Sequence, residues 1–442
     1  MVIIITYQNF LKNKDNLKAF IVDAIDKHKR SPKYKTAVEA EQYMRRQNVT
    51  IKKYQKILYS ANGTAYADSF SPNYKLYSGF FPRLINQQVQ FLLKNGVIIT
   101  EKEKLGLKFN TSMQTIARDA LVQGVAYGFW NLDHLEIFNL TEFIPLIDVK
   151  DGSIKAGIRF WQFDKDSPLR ITIFEIDGYT DYLIEKETLK ILNKKRAYKI
   201  TTIKNAEKVI YKEENYKSFP IIPLYGNQEK QSELIGLREQ IDCYDLVKSG
   251  FANDVDSEQV YWLLKNAGGM DPKDLQRFRD QIKTVKAVVA PSEVDVSAHT
   301  ISIPYEARET YLKILEDGIY NDFQGFNVTK LNAGNRTATE IKAAYESINA
   351  KTNVFEQCVK EFLYEIFEII GIDEEPFFVR NMMVNETEAI DNLLKLKGLV
   401  PDNILINKIG LLTDKEKEDA INELLERGSS NDNRDEHEKK VE

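Results

Sequence analysis

The chain has 442 residues, 43% hydrophobic and 29% charged, which is enough for about three globular domains and excludes disorder throughout. Lys and Arg number 61 against 66 Asp and Glu, and the net charge of −5 excludes a protein that coats nucleic acid through bulk positive charge. Only two cysteines, Cys243 and Cys358, are present, which excludes a disulfide framework and predicts a reducing compartment. The apolar run 2–5 is too short for a signal peptide, and no window is apolar enough for a membrane span, so we expect a soluble protein.

The first 130 residues predict helices. Apolar residues recur at helical spacing over 10–25, before the Ser31-Pro32 break, and again over 80–93. A third helix is predicted over about 112–123. From about residue 127 the period changes to two, most clearly over 154–161, and turn dipeptides separate further short strands. These patterns predict an antiparallel β-meander over about 127–215, ended by the two prolines of segment 219–223.

Two long helices bracket a small module after the meander. Apolar stripes predict helices over about 231–256 and 304–323. Between them we expect a strand at 260–264, a helix opened by Asp271 as N-cap with Pro272 at its first position, and strands near Val288 and over 294–303. The arrangement predicts a helical stalk that carries a tip.

The third part of the chain is a loop, a long helix and a C-terminal region. The sequence predicts a loop over about 325–336. Thr337 and Glu340 then have the spacing of a capping box, which predicts the start of a helix that runs to residue 370. Poor helix formers near residue 350 favour a bend in it. Beyond it the sequence predicts a strand over 376–384, helices over 386–398, 402–409 and 414–427, and a disordered polar tail over 429–442. The fold class predicted for the whole chain is α+β, mainly α-helical.

No motif predicts catalysis, a cofactor or a metal. Gly334-Asn335-Arg336-Thr337 resembles a phosphate-binding turn but lacks the second glycine and the lysine, so a loop and cap is the favoured interpretation. Asp133-His134 is more typical of a hairpin turn than of an acid/base pair. The acids near residue 256 are more typical of a solvated helix end than of a cation site.

The two long helices are strongly acidic. Residues 231–258 contain seven acids against two basic residues, and 304–325 contain five against two. A solvated helix face is the simplest interpretation. The alternative is a surface that repels polyanions, which is useful if the helices line a conduit.

Several strings, and their order along nearly the whole chain, resemble the portal proteins of tailed bacteriophages, in particular the siphophage type of Gram-positive hosts. The strings are Phe80-Phe81 through Leu93, Asp119-Ala120-Leu121-Val122-Gln123-Gly124-Val125-Ala126-Tyr127, Phe219-Pro220-Ile221-Ile222-Pro223-Leu224-Tyr225, Ile241-Asp242-Cys243-Tyr244-Asp245, Asn253-Asp254, Gly318-Ile319-Tyr320, Gly334-Asn335-Arg336-Thr337 and Phe378-Val379-Arg380-Asn381.

The resemblance implies the portal fold, with regions named wing, stem, clip and crown. The expected boundaries are 1–230 for the wing with its meander, 231–258 for the first stem helix, 259–303 for the clip, 304–325 for the second stem helix, 326–336 for the tunnel loop, 337–371 for a long wing helix, 377–428 for the crown and 429–442 for a disordered tail. Ala338 departs from the glycine that many relatives carry, and the crown is short.

The resemblance also implies the residues that serve the channel. Residues expected to contact DNA from the tunnel loop are Thr329, Lys330, Asn332, Asn335 and Arg336. Residues expected to form an acidic channel lining are Glu233, Glu239, Asp242, Asp245, Glu309, Glu316 and Asp317. Residues expected to form a docking surface on the clip are Asp271, Lys273, Arg277 and Arg279.

The function implied is a dodecameric ring at the capsid vertex of the virion, assembled in the host cytoplasm, through which the genome is packaged and ejected. The expected partners are further copies of the chain, double-stranded DNA bound without sequence specificity, the terminase large subunit, a head-tail adaptor, the scaffold and the major capsid protein, but no membrane. Neither enzymatic activity nor a cofactor is expected. The alternatives from the residues alone are a DNA-processing enzyme and another virion component, such as a minor head or capsid protein.

Overall fold

Runs of helices and runs of antiparallel strands follow one another along the chain, as the α+β prediction requires. The computed structural model describes residues 5–59, 63–68, 72–164, 166–186, 188–204, 209–256, 260–265, 269–285, 294–300, 304–327 and 338–380, with isolated positions between 395 and 423. The helices are α1 (Tyr7–Lys12), α2 (Leu17–Arg30), α3 (Pro32–Met44), α4 (Val49–Lys53), α5 (Phe80–Leu93), α6 (Phe109–Gln123), α7 (Arg238–Asp256), α8 (Pro272–Val285), α9 (Tyr305–Phe323) and α10 (Ala338–Ile370). The strands are β1 (Ile57–Tyr59), β2 (Ala65–Ala67), β3 (Val125–Asn131), β4 (His134–Asn139), β5 (Phe143–Ile147), β6 (Ile154–Trp161), β7 (Leu169–Glu175), β8 (Gly178–Glu185), β9 (Thr188–Arg196), β10 (Lys199–Lys204), β11 (Val209–Glu214), β12 (Ile221–Tyr225), β13 (Val260–Lys265) and β14 (Asp295–Thr300).

The predicted meander is divided between three antiparallel sheets. Strands β5 to β9 pair in chain order, β10 pairs with β11, and β3 lies between β4 and β12. The prediction that the prolines of 219–223 end the β structure is wrong, because Pro223 lies within β12 opposite Tyr127. Strand β12 is an edge of its sheet, and an edge is where a residue without a backbone N–H is tolerated.

Two apolar clusters hold these elements together. The larger one joins α5, α6 and α10 to the sheet of β3, β4 and β12, and its members include Phe81, Phe138 and Phe362, all essentially fully buried. The smaller one packs α1 and α2 on the five-stranded sheet through residues such as Ile21 and Ile158. Each cluster buries the apolar face that the sequence pattern marked on its helices.

The helix boundaries follow local signals. Ser31 caps α3 with Pro32 at its first position, and the Asp271 carboxylate accepts the backbone N–H groups of Lys273 (2.8 Å) and Asp274 (2.9 Å) at the start of α8. The predicted start of the first stem helix at 231 is wrong. Gly236 adopts a left-handed conformation (φ +88°) within a run of turns, so α7 begins at Arg238.

The expectation that the first 130 residues are helical misses one element. Strands β1 and β2 form a two-stranded antiparallel hairpin between α4 and α5, with Leu58 opposite Tyr66. The segment that follows, 72–79, contains neither helix nor strand.

The chain divides into two compact units. The first comprises residues 1–330 and 345–381, and contains every sheet found among the described residues together with both core clusters. The second comprises 331–344 and 382–442, of which the structure describes the first turns of α10 and helical positions such as 419–423. Most of the predicted tunnel loop, crown and tail therefore lies outside the described residues.

Candidate stem, joint and clip surfaces

Helices α7 and α9 pack as an antiparallel pair, in the position predicted for the stem. The Gln240 amide donates to the Asp322 carboxylate near one end. At the other end Arg308 and Asp254 form an ion pair of 2.6 Å, and the rings of Phe251 and Tyr305 meet edge to face at 5.5 Å. These contacts fix the register of the pair along its length.

A stripe of short polar side chains on α7 binds another part of the same chain. We call Asp242, Asp245, Ser249 and Asn253 the polar stripe; their spacing of three and four residues places them on one face of the helix. Backbone N–H groups of the segment 74–78 donate to three of them: Ser78 to Asp245 (2.8 Å), Leu76 to Ser249 (3.0 Å) and Tyr74 to Asn253 (2.6 Å).

The geometry of this contact has a simple physical basis. Four residues of helix rise about 6 Å, and two residues of extended chain rise about 6.6 Å, so alternate amides of an extended segment match successive turns of a helix. The segment 74–78 is thereby bound along α7 through three of its backbone N–H groups. We call it the strap.

The acids of the polar stripe form a buried joint with α3 and α4. Asp242 accepts hydrogen bonds from the hydroxyls of Tyr43 and Thr50, both at 2.5 Å, and Asp245 accepts one from the Asn48 amide. Burial raises the pKa of the Asp245 carboxyl, against the opposing effect of its hydrogen bonds from Ser78 and Asn48. Burial also raises the pKa of the Tyr43 hydroxyl, and its bond to Asp242 adds to the rise.

The predicted acidic lining must be corrected at these positions. Asp245 is 0% exposed and Asp242 is 9% exposed, so both are turned into the protein and do not line a channel. Glu233 is also mostly buried, because it forms an ion pair with Lys351 and accepts from Asn227. Glu239 and Glu309 remain exposed, and Glu316 and Asp317 are half-buried.

The predicted clip surface is only partly exposed. Asp271 serves as the cap of α8, while Lys273 and Arg277 project from it. Arg279 is half-buried, binds Asp280 at 2.7 Å and contacts the hydroxyl of Tyr66 on β2, so it is not free to dock a partner. The strands β13 and β14 pair antiparallel next to α8 in the chain.

The predicted tunnel-loop residues, 329 to 336, lie outside the described residues, but the chain that leads into the loop is described. The side-chain amide of Gln87 makes two hydrogen bonds with the backbone of Phe326: the Phe326 N–H donates to Oε1 at 2.9 Å, and Nε2 donates to the Phe326 carbonyl at 2.7 Å. The Phe326 ring stacks on Tyr345 with 4.5 Å between centroids. The end of α9 is therefore tied to α5 immediately before the loop.

Among the described residues, the other candidate catalytic and metal-binding side chains do not come together in a site. Asp133 and His134 lie at the exposed turn between β3 and β4, which confirms the turn prediction. Cys243 and Cys358 are free thiols. Within the described parts of the chain there is no group of three His, Cys, Asp or Glu side chains suited to a metal, and no helix is long and apolar enough to cross a membrane.

Comparison with known proteins gives one consistent family. Residues 26–433 match the family described as phage portal protein, SPP1 Gp6-like. The portal protein of Clostridium phage phiCD119 is 27% identical over 365 residues, covering 75% of this chain and 79% of that protein. The portal protein of Bacillus phage SPP1 is 22% identical over 429 residues, covering 83% of this chain and 79% of that protein.

A solved structure described as the virion of a native gene transfer agent particle contains a similar chain. It has a TM-score of 0.39 and 10% sequence identity, over 78% of this chain and 90% of that chain. The family match spans nearly all of the sequence and agrees in name with both phage relatives. The chain therefore belongs to the SPP1 Gp6-like family of phage portal proteins.

Proposed function

We propose that this portal protein forms a dodecameric ring at one vertex of the capsid, and that the genome is packaged and ejected through the channel of the ring. The family match over residues 26–433 is the observation that carries the proposal. The antiparallel pair of α7 and α9, joined through the module of β13, α8 and β14, supports it because such a pair repeated around an axis makes a tube with a tip. Members of this family are structural components of the virion, which excludes the alternative of a DNA-processing enzyme.

The channel is proposed to pass DNA without holding it. Exposed acids on the stem helices, such as Glu239 and Glu309, repel phosphates from every side when they are repeated around an axis. Lys330 and Arg336, with Thr329, Asn332 and Asn335, are proposed to touch the DNA backbone transiently from the tunnel loop. Contacts with phosphate carry no sequence information, which suits a conduit for a whole genome.

The ends and outside of the ring are proposed to meet the other assembly partners. On the clip, Lys273 and Arg277 are exposed cations suited to acidic surfaces of the terminase large subunit during packaging and of the head-tail adaptor afterwards. The wing is proposed to contact the scaffold and the major capsid protein. Assembly is proposed to take place in the host cytoplasm.

Negative-stain microscopy of the purified full chain tests the ring. We expect rings with a central channel, and mass measurement of the same sample gives the subunit number. A protein that stays monomeric at micromolar concentration would contradict the proposal.

The double substitution Lys330→Ala/Arg336→Ala tests the tunnel loop. We expect rings of normal appearance but a lower yield of packaged DNA, because the two cations that touch the backbone are removed. The measurement is the length and yield of nuclease-protected DNA in capsids assembled with the variant. Lys12→Ala/Lys27→Ala, at exposed positions of α1 and α2, is a matched control for loss of two charges. Unchanged length and yield in the loop variant would contradict the role of the loop.

A further inference from the structure

A cavity of about 850 Å³ opens where the three-stranded and five-stranded sheets meet the junction of α2 and α3. Tyr127, Pro223 and Tyr225 line it from one face of the sheet of β3, β4 and β12, in which Pro223 is paired with Tyr127. Ile147 of β5 and Ile154 of β6 line it from the other sheet. We call it the sheet cavity. Its volume falls within the range of small-molecule sites, about 300–1,000 Å³.

One end of the sheet cavity is apolar. Ile147 and Ile154 are opposite each other in β5 and β6, and the Ile147 N–H donates to the Ile5 carbonyl at 3.3 Å, so these three residues adjoin. All three line the cavity. Lys155 lines it as well, but its charge is paired with Asp151 at 3.0 Å. This end is suited to a hydrocarbon chain, which the hydrophobic effect drives out of water.

The other end holds a buried hydroxyl that has no partner. Tyr127 packs on Phe143 at the start of β5, whereas Ile147 ends that strand about 13 Å away. Tyr127 is only 5% exposed, and its hydroxyl forms no hydrogen bond with a described residue. Burial raises the pKa of this hydroxyl, and Tyr225 adds to the rise, so the group stays protonated and can donate. A buried donor without a partner costs free energy that a polar group of a ligand recovers.

Two cations lie beside the tyrosines. The Lys230 ammonium is 4.2 Å from the centre of the Tyr225 ring, and Tyr225 shares a face of the sheet with Tyr127. Burial, and then the nearby charge of Lys230, lower the pKa of the Lys33 ammonium, so the two lysines are neighbours. Both line the cavity, and neither forms an ion pair with a described acid. An anion bound between them would relieve the repulsion of two like charges.

One acid, Glu365 of α10, also lines the sheet cavity. Burial raises the pKa of its carboxyl, and Glu368 and Glu361 add to the rise. A raised pKa favours the neutral form of a carboxyl, which does not repel an anion. Among the described lining residues this acid stands against four lysines, the fourth being the exposed Lys217. The cavity therefore favours an anionic ligand over a cationic one.

We propose that the sheet cavity binds an amphiphile with one hydrocarbon chain and a small anionic head. The chain lies against the isoleucines of the apolar end, and the head accepts a hydrogen bond from the Tyr127 hydroxyl and is held by Lys33 and Lys230. A small inorganic anion would leave the apolar end in water, and a plain hydrocarbon would leave the hydroxyl and the two cations without partners. The site lies within one chain, so the proposal does not depend on the proposed ring.

Isothermal titration of the full-length chain with three probes tests the ligand class. We expect decanoate to bind once per chain, and decan-1-ol, which has the same chain length without the charge, to bind about tenfold more weakly. Acetate, which has the head without the chain, should give no measurable heat. Equal affinities for decanoate and decan-1-ol would overturn the anionic head, and absence of decanoate binding would overturn the site.

Three variants place the ligand in the sheet cavity. Lys33→Ala/Lys230→Ala should weaken decanoate about tenfold and leave decan-1-ol unchanged, because only the charged head loses its partners. Lys52→Ala/Lys53→Ala removes two exposed charges from α4, which does not line the cavity, and should change neither affinity. Tyr127→Phe keeps the ring, removes only the hydroxyl and should weaken decanoate about tenfold. Circular dichroism confirms that each variant is folded, and equal decanoate affinity in all of them would overturn the proposal.

Discussion

Replacing Asp245 with alanine is expected to lower the free energy of unfolding by about 3–5 kcal/mol. The carboxylate is fully buried and accepts hydrogen bonds from the Ser78 backbone N–H and the Asn48 amide. Alanine removes the acceptor and leaves both donors buried without a partner, which is the costly way to lose a hydrogen bond. Urea titration of the purified chain, with the slope of the transition unchanged, measures the loss.

Two further substitutions calibrate that result. Ser249→Ala, on the same stripe, removes the hydroxyl that accepts the hydrogen bond of the Leu76 N–H. It should lower the free energy of unfolding by about 1–2 kcal/mol. Glu239→Ala, an exposed acid on the same helix, should change the free energy of unfolding by less than about 0.5 kcal/mol. If Asp245→Ala had as small an effect as Glu239→Ala, the carboxylate would not be the buried centre of the joint.

Gly124→Ala is expected to destabilise the chain by about 3 kcal/mol, the second largest effect. Gly124 ends α6 in a left-handed conformation (φ +87°), which costs an alanine about 1–2 kcal/mol. An added Cβ would also lie 2.7 Å from the carbonyl carbon and 2.8 Å from the Cα of Gln231. These are backbone atoms of the chain that leads into α7, so they cannot rotate away as a side chain can.

Gly152→Ala separates the two causes. Gly152 is also left-handed (φ +74°), but an added Cβ meets nothing within 4 Å. Its replacement should cost about 1–2 kcal/mol, which is the conformational part alone. Thermal or urea unfolding of the two variants side by side measures the difference in their free energies of unfolding. Equal losses of stability would show that the close approach of Gln231 to Gly124 adds nothing to the cost of the substitution.

Several helices were predictable because their signals are local. The apolar period over 80–93 predicted α5, and the Asp271-Pro272 pair predicted the start of α8. The start of α7 was not predictable in the same way. Leu234 and Leu237 continue the apolar period of the helix, and both are buried, but Gly236 between them turns the chain. The hairpin of β1 and β2 was missed because three-residue strands are too short for a period of two to stand out.

The acidic side chains of the stem were only partly predictable for a different reason. A charge count over a helix records how many acids it carries and not which way each one faces. Asp242 and Asp245 recur with Ser249 and Asn253 at helical spacing, and short polar side chains of this kind are suited to binding nearby backbone groups. That spacing was the available signal that the stripe faces inward, whereas the segment it binds, some 170 residues earlier in the chain, left none.

The contact between the strap and α7 has a consequence for sequence divergence among relatives. Because the three donors are main-chain N–H groups, the side chains of residues 74, 76 and 78 can change without loss of the hydrogen bonds. Proline is the exception, since it has no N–H to donate. Substitution at exposed Tyr74 therefore need not weaken the contact with α7, whereas buried Ser78 can be replaced only by a residue of similar size. The acceptors on α7 are constrained to residues short enough to reach the strap.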